Sequence, residues 1–273
     1  MILRYEHGKL VEQRTYRKAL QLEGDVSPVI SIVGAGGKTT TIHKIAEEYV
    51  ESSIPVVVTT TTHMMIEEEP YFLLEDDLMV MTGCFILEEF RRQILHKLEK
   101  YGQVWIGKRT NERKMGQPSK EVFQMLKELS VTLLIEADGA RRLPCKAPGE
   151  REPVLVEETT MLIALYGLDA IGKTIQECCF RSELVANILE KKVTDILEPK
   201  DIALLAMDKQ GGKKGLSKQQ RYVVVLNKAD NEKLRKDALC ICERIAEIEH
   251  ENTDKRSRGS GNRNCHSLVS MWT

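Results

Sequence analysis

The chain has 273 residues, 30% of them charged, and a formal net charge of -1. This near-balance excludes a dedicated nucleic-acid or membrane-surface protein, which would concentrate positive charge against phosphates; the length suits one generous domain or two small ones. No apolar run is long enough to span a bilayer, Met1 to Val11 is too charged for a secretory signal, and the seven cysteines include no CxxC pair, so reduced thiols in a cytoplasmic protein are expected, with no nucleic-acid or membrane partner.

In chain order, residues 1–25 read as a mixed, charged N-terminal segment anchored by Tyr16, Leu20 and Leu22, with no chemistry assigned. The main domain is expected over 26–248. It opens with Val29-Ile30-Ser31-Ile32-Val33, a buried-strand pattern, which runs into Gly34-Ala35-Gly36-Gly37-Lys38-Thr39-Thr40-Thr41. Glycines let the backbone curl so that several N–H groups face one anion, and a helix starting near Lys38 adds its positive end. The reading is a phosphate-binding loop of Gly34, Ala35, Gly36, Gly37, Lys38, Thr39 and Thr40, with Lys38 on the outer phosphates and the Thr39 hydroxyl on Mg2+. The spacing departs from G-x-x-x-x-G-K-[ST], which would place glycine at Ile32. With Gly34 as its first glycine, the loop resembles the G-x-x-G-K-T-T-T loop of the Mur peptide ligases.

Ile42, Ile45, Ala46, Tyr49 and Val50 then fall at helical spacing, and Val56-Val57-Val58-Thr59 reads as a second strand, closing a βαβ unit. Thr61, Thr62 and His63 follow that strand, where open α/β sheets bind ligands. They are candidates to touch the metal, its water or the γ-phosphate; a threonine-rich strand edge with a solvated histidine is the alternative. Leu87 to Leu98 marks an amphipathic helix stopped by Gly102, Gln103 to Gly107 another strand, and Pro118-Ser119 the start of a further helix. This alternation predicts an α/β fold with a mostly parallel sheet and helices on both faces.

Thr132 to Ile135 reads as an apolar strand ending in Glu136-Ala137-Asp138-Gly139. Two residues apart on a strand, the acids point to the same side. Asp138 is expected to share the metal with Thr39 and Glu136 to orient an attacking water, so that Lys38, Glu136 and Asp138 form the catalytic set. Arg141 and Arg142 would meet phosphate or these acids. Beyond a strand over Met161 to Tyr166, Gly172-Lys173-Thr174 lacks the glycine framework of a second phosphate loop. Cys178-Cys179 is either a soft-ligand or redox pair or incidental. Helical patterns within about 175–215 predict a small helical cap over the ligand edge. The basic, glycine-bearing stretch Lys209 to Lys218 is either a solvated connector or a phosphate contact.

Tyr222-Val223-Val224-Val225-Leu226 leads into Asn227-Lys228-Ala229-Asp230. N-K-x-D after a buried strand resembles the base-reading motif of GTPases. Asp230 would accept hydrogen bonds from guanine, Asn227 brace the loop or reach N7, and Lys228 cover the base; this favours GTP, with ATP as the alternative. A helix is expected over 231–248. Residues 249–273, polar and carrying Lys255-Arg256-Ser257-Arg258-Gly259-Ser260-Gly261, read as a disordered tail with a truncated or frameshifted end.

Val33 to Thr40, Thr60-Thr61-Thr62-His63-Met64, Glu136 to Ala140 followed by Lys146-Ala147-Pro148, Gly167 to Lys173 and the Asn-Lys-x-Asp run together resemble the YqeC family. The resemblance covers roughly residues 20 to 247. It implies a bacterial cytosolic P-loop protein acting in the maturation of selenium-dependent molybdenum hydroxylases, with the hydroxylase or its cofactor as partner. The residues and the resemblance together point to a Mg-GTP-dependent hydrolase or switch. Its alternatives are an ATP-dependent ligase or kinase and a non-catalytic cofactor chaperone.

Overall fold

The computed structural model describes residues 1–82, 86–254 and 266–270. Cys84, Cys265 and the basic run from Lys255 to Gly261 lie outside the described residues. The chain opens with β1 (Ile2–Glu6), β2 (Lys9–Gln13) and α1 (Tyr16–Ala19), and continues through β3 (Val29–Gly34), α2 (Lys38–Glu51) and β4 (Val56–Thr60). Next come β5 (His63–Met65), β6 (Phe72–Leu74), α3 (Glu75–Thr82), α4 (Leu87–Tyr101), β7 (Gln103–Asn111), β8 (Lys114–Gly116) and α5 (Lys120–Glu128). β9 (Thr132–Glu136), β10 (Cys145–Lys146), β11 (Met161–Gly167), α6 (Ile175–Cys178), β12 (Cys179–Phe180), α7 (Ser182–Leu189) and α8 (Pro199–Met207) follow. The last elements are β13 (Arg221–Asn227), α9 (Glu232–Asp254) and β14 (His266–Ser270).

One mixed sheet holds the fold in the order β2-β1-β14-β13-β11-β3-β9-β4-β7-β8-β5, with β6 also on β7. Its central run from β14 to β7 pairs in parallel, and both ends turn antiparallel. The strand carrying the glycine loop is flanked by β9 on one side and β11 on the other, so the loop, the acids and Asn227 all emerge from the same edge.

Alternation along the strands places helices on both faces. On β11, Ile163 and Leu165 pack with Ile42, Ile45 and Tyr49 of α2. Leu162, Ala164 and Tyr166 pack with Ile202, Leu205 and Ala206 of α8 and Ala238 and Ile241 of α9. α4 and α5 cover Val57, Val104, Leu133 and Ile135 further along the sheet. Local signals hold at helix ends: Gly102 caps α4 with φ 70°, and the Ser119 hydroxyl accepts from Val122 N–H at the start of α5.

Within 175–215, Val185, Ala186, Ile202 and Leu205 are buried in one core with Leu162, Ala164 and Tyr166 of β11. In the stretch from Lys209 to Lys218, Lys209, Gln210, Ser217 and Lys218 are exposed, while Gly211 and Gly212 are buried where a side chain would collide with the Leu205 and Ala206 carbonyls. The expectation of a disordered tail over 249–273 is corrected: α9 continues to Asp254, and β14 pairs in parallel with β13 and antiparallel with β1. That pairing brings the N-terminal segment into the main sheet. Tyr16, Leu20 and Leu22 are buried, as expected of its anchors.

Candidate functional site

β3 ends in a backbone curl that only glycine accommodates at three places. Gly34, Gly36 and Gly37 have φ of 92°, 81° and 120°, conformations that cost an L side chain dearly. Packing adds a second constraint: a Cβ on Gly36 would lie 2.3 Å from the Gly167 nitrogen, and one on Gly37 2.4 Å from Asn227 Nδ2. Asn227 is fully buried and donates from Nδ2 to the Gly36 carbonyl at 2.9 Å. It therefore braces the loop, the first of the two roles its motif suggested.

α2 begins at Lys38, so the curl feeds the N-terminal end of a 14-residue helix and directs its partial positive charge at the loop. The Lys38 ammonium is buried. It donates to the Gly34 carbonyl at 2.8 Å and lies 3.1 Å from Asp138 Oδ1 and 3.7 Å from Glu136 Oε1. Burial pushes its pKa down, but Asp138 and Glu136 outweigh that, and the net displacement is upward. Glu136 moves up as well, through burial and the like charge of Asp138, with Lys38 offsetting only part. Both acids thus face the same cation, as their two-residue spacing implies.

The two acids make different contacts. The Thr39 hydroxyl donates to Glu136 Oε2 at 3.3 Å. Asp138 is engaged elsewhere: its Oδ2 accepts the Gly34 N–H at 2.9 Å and faces Lys146 Nζ at 2.8 Å, while its Oδ1 faces Lys38. The carboxylate beside the proposed metal-binding hydroxyl is therefore Glu136.

Lys146, on the short strand β10, is the residue that local sequence reasoning left without a role. Its side chain is 1% exposed, and it donates to the Gly139 carbonyl at 2.6 Å and to Glu152 Oε2 at 2.7 Å. Arg181, at the start of α7, closes on both Glu152 oxygens at 2.7 and 2.9 Å. Burial raises the Glu152 pKa, but Arg181 and Lys146 together lower it to about 2. The result is an alternating chain, Lys38, Asp138, Lys146, Glu152, Arg181, leading from the loop to the helical layer. Only the position of Lys146 soon after a strand bearing two buried acids hinted at this pairing.

The Thr61 hydroxyl donates to the Val154 carbonyl at 2.7 Å, and Thr60, buried, donates to the Glu136 carbonyl at 2.8 Å. Thr62 is half-buried beside Thr60, and His63 is exposed on β5 opposite Gly116. Arg141 is exposed, with its guanidinium over the Phe180 ring at 5.0 Å; it does not pair with the acids, whose cations are lysines. Ala35 is fully buried and donates its N–H to the Leu165 carbonyl, while Thr40 is exposed on the first turn of α2. Lys228 reaches Asp169 Oδ2 at 2.8 Å, and Asp230 is exposed just past the strand end. Cys178 and Cys179 are buried with their sulfurs 3.6 Å apart; the contact with Cys179 and burial push the Cys178 pKa up, and the contact with Cys145 and burial push up that of Cys179. Thiols held protonated are poor nucleophiles and ligands.

Among the described residues no group of three or more His, Cys, Asp or Glu could hold a metal by itself. A hydroxyl and a carboxylate, Thr39 and Glu136, do meet at the loop. Such hard oxygen donors suit Mg2+, which takes one or two protein ligands and draws the rest from phosphate and water.

Fold and site define an α/β protein whose sheet presents a glycine loop, a buried lysine and two acids along a single edge. This chain belongs to the YqeC family: the family model described as "YqeC protein" matches residues 30–183, more than half of its length. It is also similar to the uncharacterized protein YqeC of Escherichia coli (strain K12), 33% identical over 97 residues, covering 35% of this chain and 38% of that relative. The matched family region contains the loop, both acids, Lys146 and Arg181; Asn227 to Asp230 lie beyond it. No helix among the described residues is long and apolar enough to cross a membrane.

Proposed function

We propose that the chain is a P-loop protein that binds a magnesium nucleoside triphosphate, GTP in preference to ATP, and acts as a hydrolase or switch. The observation that carries this reading is the buried Lys38 ammonium, held by Asp138 and Glu136 at the mouth of a glycine curl that opens onto a helix N-terminus. A buried cation needs charge compensation; a triphosphate would supply it from the loop side, and Lys38 would exchange a carboxylate for phosphate oxygens. Lys146 would then remain on Asp138 and keep that acid compensated while Lys38 is engaged elsewhere.

Thr39 and Glu136 would hold the metal, which when bound would neutralise phosphate charge. Asn227 supports the loop, and Asp230 would select guanine. Membership in the family adds the expected setting, the maturation of selenium-dependent molybdenum hydroxylases in the cytoplasm, with the enzyme or its cofactor as partner. The test is nucleotide identification and binding: purified protein should bind Mg-GTP, and Lys38→Ala should lose it. A ligase or kinase is a second reading, favoured by the short Gly34 to Lys38 spacing; it requires an acceptor for phosphate release.

A further inference from the structure

A second concave region lies at the end of the sheet formed by β8 and β5. It has a volume of ≈ 480 Å³ and is lined by Met65, Asn111, Glu112, Arg113, Lys114 and Arg142. Three of these side chains are cationic and one is anionic, in a chain whose overall charge is -1. Arg113, Lys114 and Arg142 are all exposed, and none has a carboxylate within ion-pair distance among the described residues. Nearby cations behave differently: Arg109 pairs with Asp77, and Lys146 with Asp138 and Glu152.

The walls are fixed by backbone contacts. β5 pairs with β8, placing Met65 opposite Lys114, and the Ile66 N–H donates to the Arg113 carbonyl at 2.9 Å. At the hairpin tip the Arg113 N–H is held by Asn111 Oδ1 at 3.0 Å, and the Thr110 hydroxyl donates to the Lys114 carbonyl at 3.0 Å. The pairing of β7 with β8 shifts register between Arg109 and Asn111, an irregularity of the kind that re-aims side chains at a sheet edge. On the opposite wall Arg141 and Arg142 have φ of 47° and 62°. Arg141 lies over Phe180, whereas Arg142 lines the cavity.

We infer that this cavity is a binding site for a small phosphorylated molecule, separate from the glycine loop. Two guanidinium groups and an ammonium supply donors for the several oxygens of a phosphate, and charge-assisted hydrogen bonds of this type are the strong ones. The volume exceeds that of a phosphate group alone, and Met65, 38% exposed, offers a soft apolar surface to the body carrying it. The walls come from β5, from the β7–β8 hairpin and from the segment after β9. Met65 follows Thr60 by five residues along the chain, and Arg142 follows Asp138 by four. In the sheet order β9, β4 and β7 stand between the glycine-loop strand β3 and β8, so the two places are distinct. The inference stands apart from the proposed function, since the residues that line the cavity include none of the glycine loop.

Calorimetric titration of the full chain at low ionic strength with inorganic phosphate and with phenyl phosphate tests the site. Phenyl phosphate is expected to bind more tightly than phosphate, and Lys38→Ala to retain that binding. Arg113→Ala combined with Arg142→Ala should weaken it about tenfold or more, roughly the loss of one charge-assisted contact, while Lys236→Ala on α9 should leave it unchanged. Loss of all phosphate binding in Lys38→Ala, no effect of the double substitution, or equal weakening by Lys236→Ala would each overturn the site. Mg-GTP binding to Arg113→Ala and to Lys38→Ala, measured in parallel, reports separately on the nucleotide reading.

Discussion

Lys146 Nζ lies 2.8 Å from Asp138 Oδ2, the oxygen opposite the one that faces Lys38. A single buried carboxylate thus compensates two lysines, and a third contact, to Glu152, anchors Lys146 from behind. Lys146→Met would leave Asp138 and Glu152 without that ammonium. Removing one partner of a buried ionic group costs about 3–5 kcal/mol, so the urea midpoint should fall sharply, and Mg-GTP affinity should fall with it. An unchanged midpoint would show that the network carries no such weight.

Glu136 and Asp138 are separable by substitution. Burial already disfavours the charge on Glu136, so Glu136→Gln should leave stability unchanged or slightly raised. It should nevertheless weaken Mg2+-dependent nucleotide binding, because the carboxylate beside Thr39 is gone. Asp138→Asn should do the reverse in emphasis and lower the denaturation midpoint markedly, by taking from Lys38 and Lys146 the carboxylate they share. Equal stability losses in the two variants would contradict this division.

Loop geometry gives a third expectation. Gly36→Ala must place a Cβ 2.3 Å from backbone nitrogen at a φ of 81°, which the loop cannot accept without moving. Nucleotide binding should be abolished while far-ultraviolet circular dichroism remains native-like. Asn227→Ala removes the Gly36 brace and should weaken GTP and ATP alike. Asp230→Asn, at an exposed position, should move preference from guanine toward xanthine without altering stability. Unchanged guanine preference would remove Asp230 from base recognition.

Glu152 sets a pH dependence. Its folded pKa, about 2, lies below the ordinary 4.5, so the folded form binds fewer protons than the unfolded one in that interval. The stabilisation is complete above about pH 4.5 and is lost as pH falls through about 2. Wild-type Tm should therefore drop more steeply than that of Glu152→Gln between pH 5 and 2, with the two curves converging at the acid end. Parallel curves across this range would contradict the assignment.

Much of the site was legible because its signals are local. A β-branched run followed by Gly34, Gly36 and Gly37 announces a strand and a curl, and two acids at one strand end announce a shared side. Partner choice was not legible. Whether Glu136 or Asp138 faces Thr39 depends on how β9 registers against β3, with Ile32 opposite Glu136. The Lys146, Glu152 and Arg181 links join segments whose approach is set by long-range packing. Likewise β14 lies in a polar stretch with little strand pattern, and it is paired on both sides by β1 and β13. The helices in 175–215 gave their own positions away, but not the face of the sheet that would receive them.

Comparison of Mg-GTP binding by the wild-type protein and by Lys38→Ala, with thermal unfolding of both as a fold control, tests the central claim most directly. The account predicts Mg2+-dependent binding by the wild type and its loss in a Lys38→Ala chain that still unfolds cooperatively. Equal binding by the two folded proteins would contradict it.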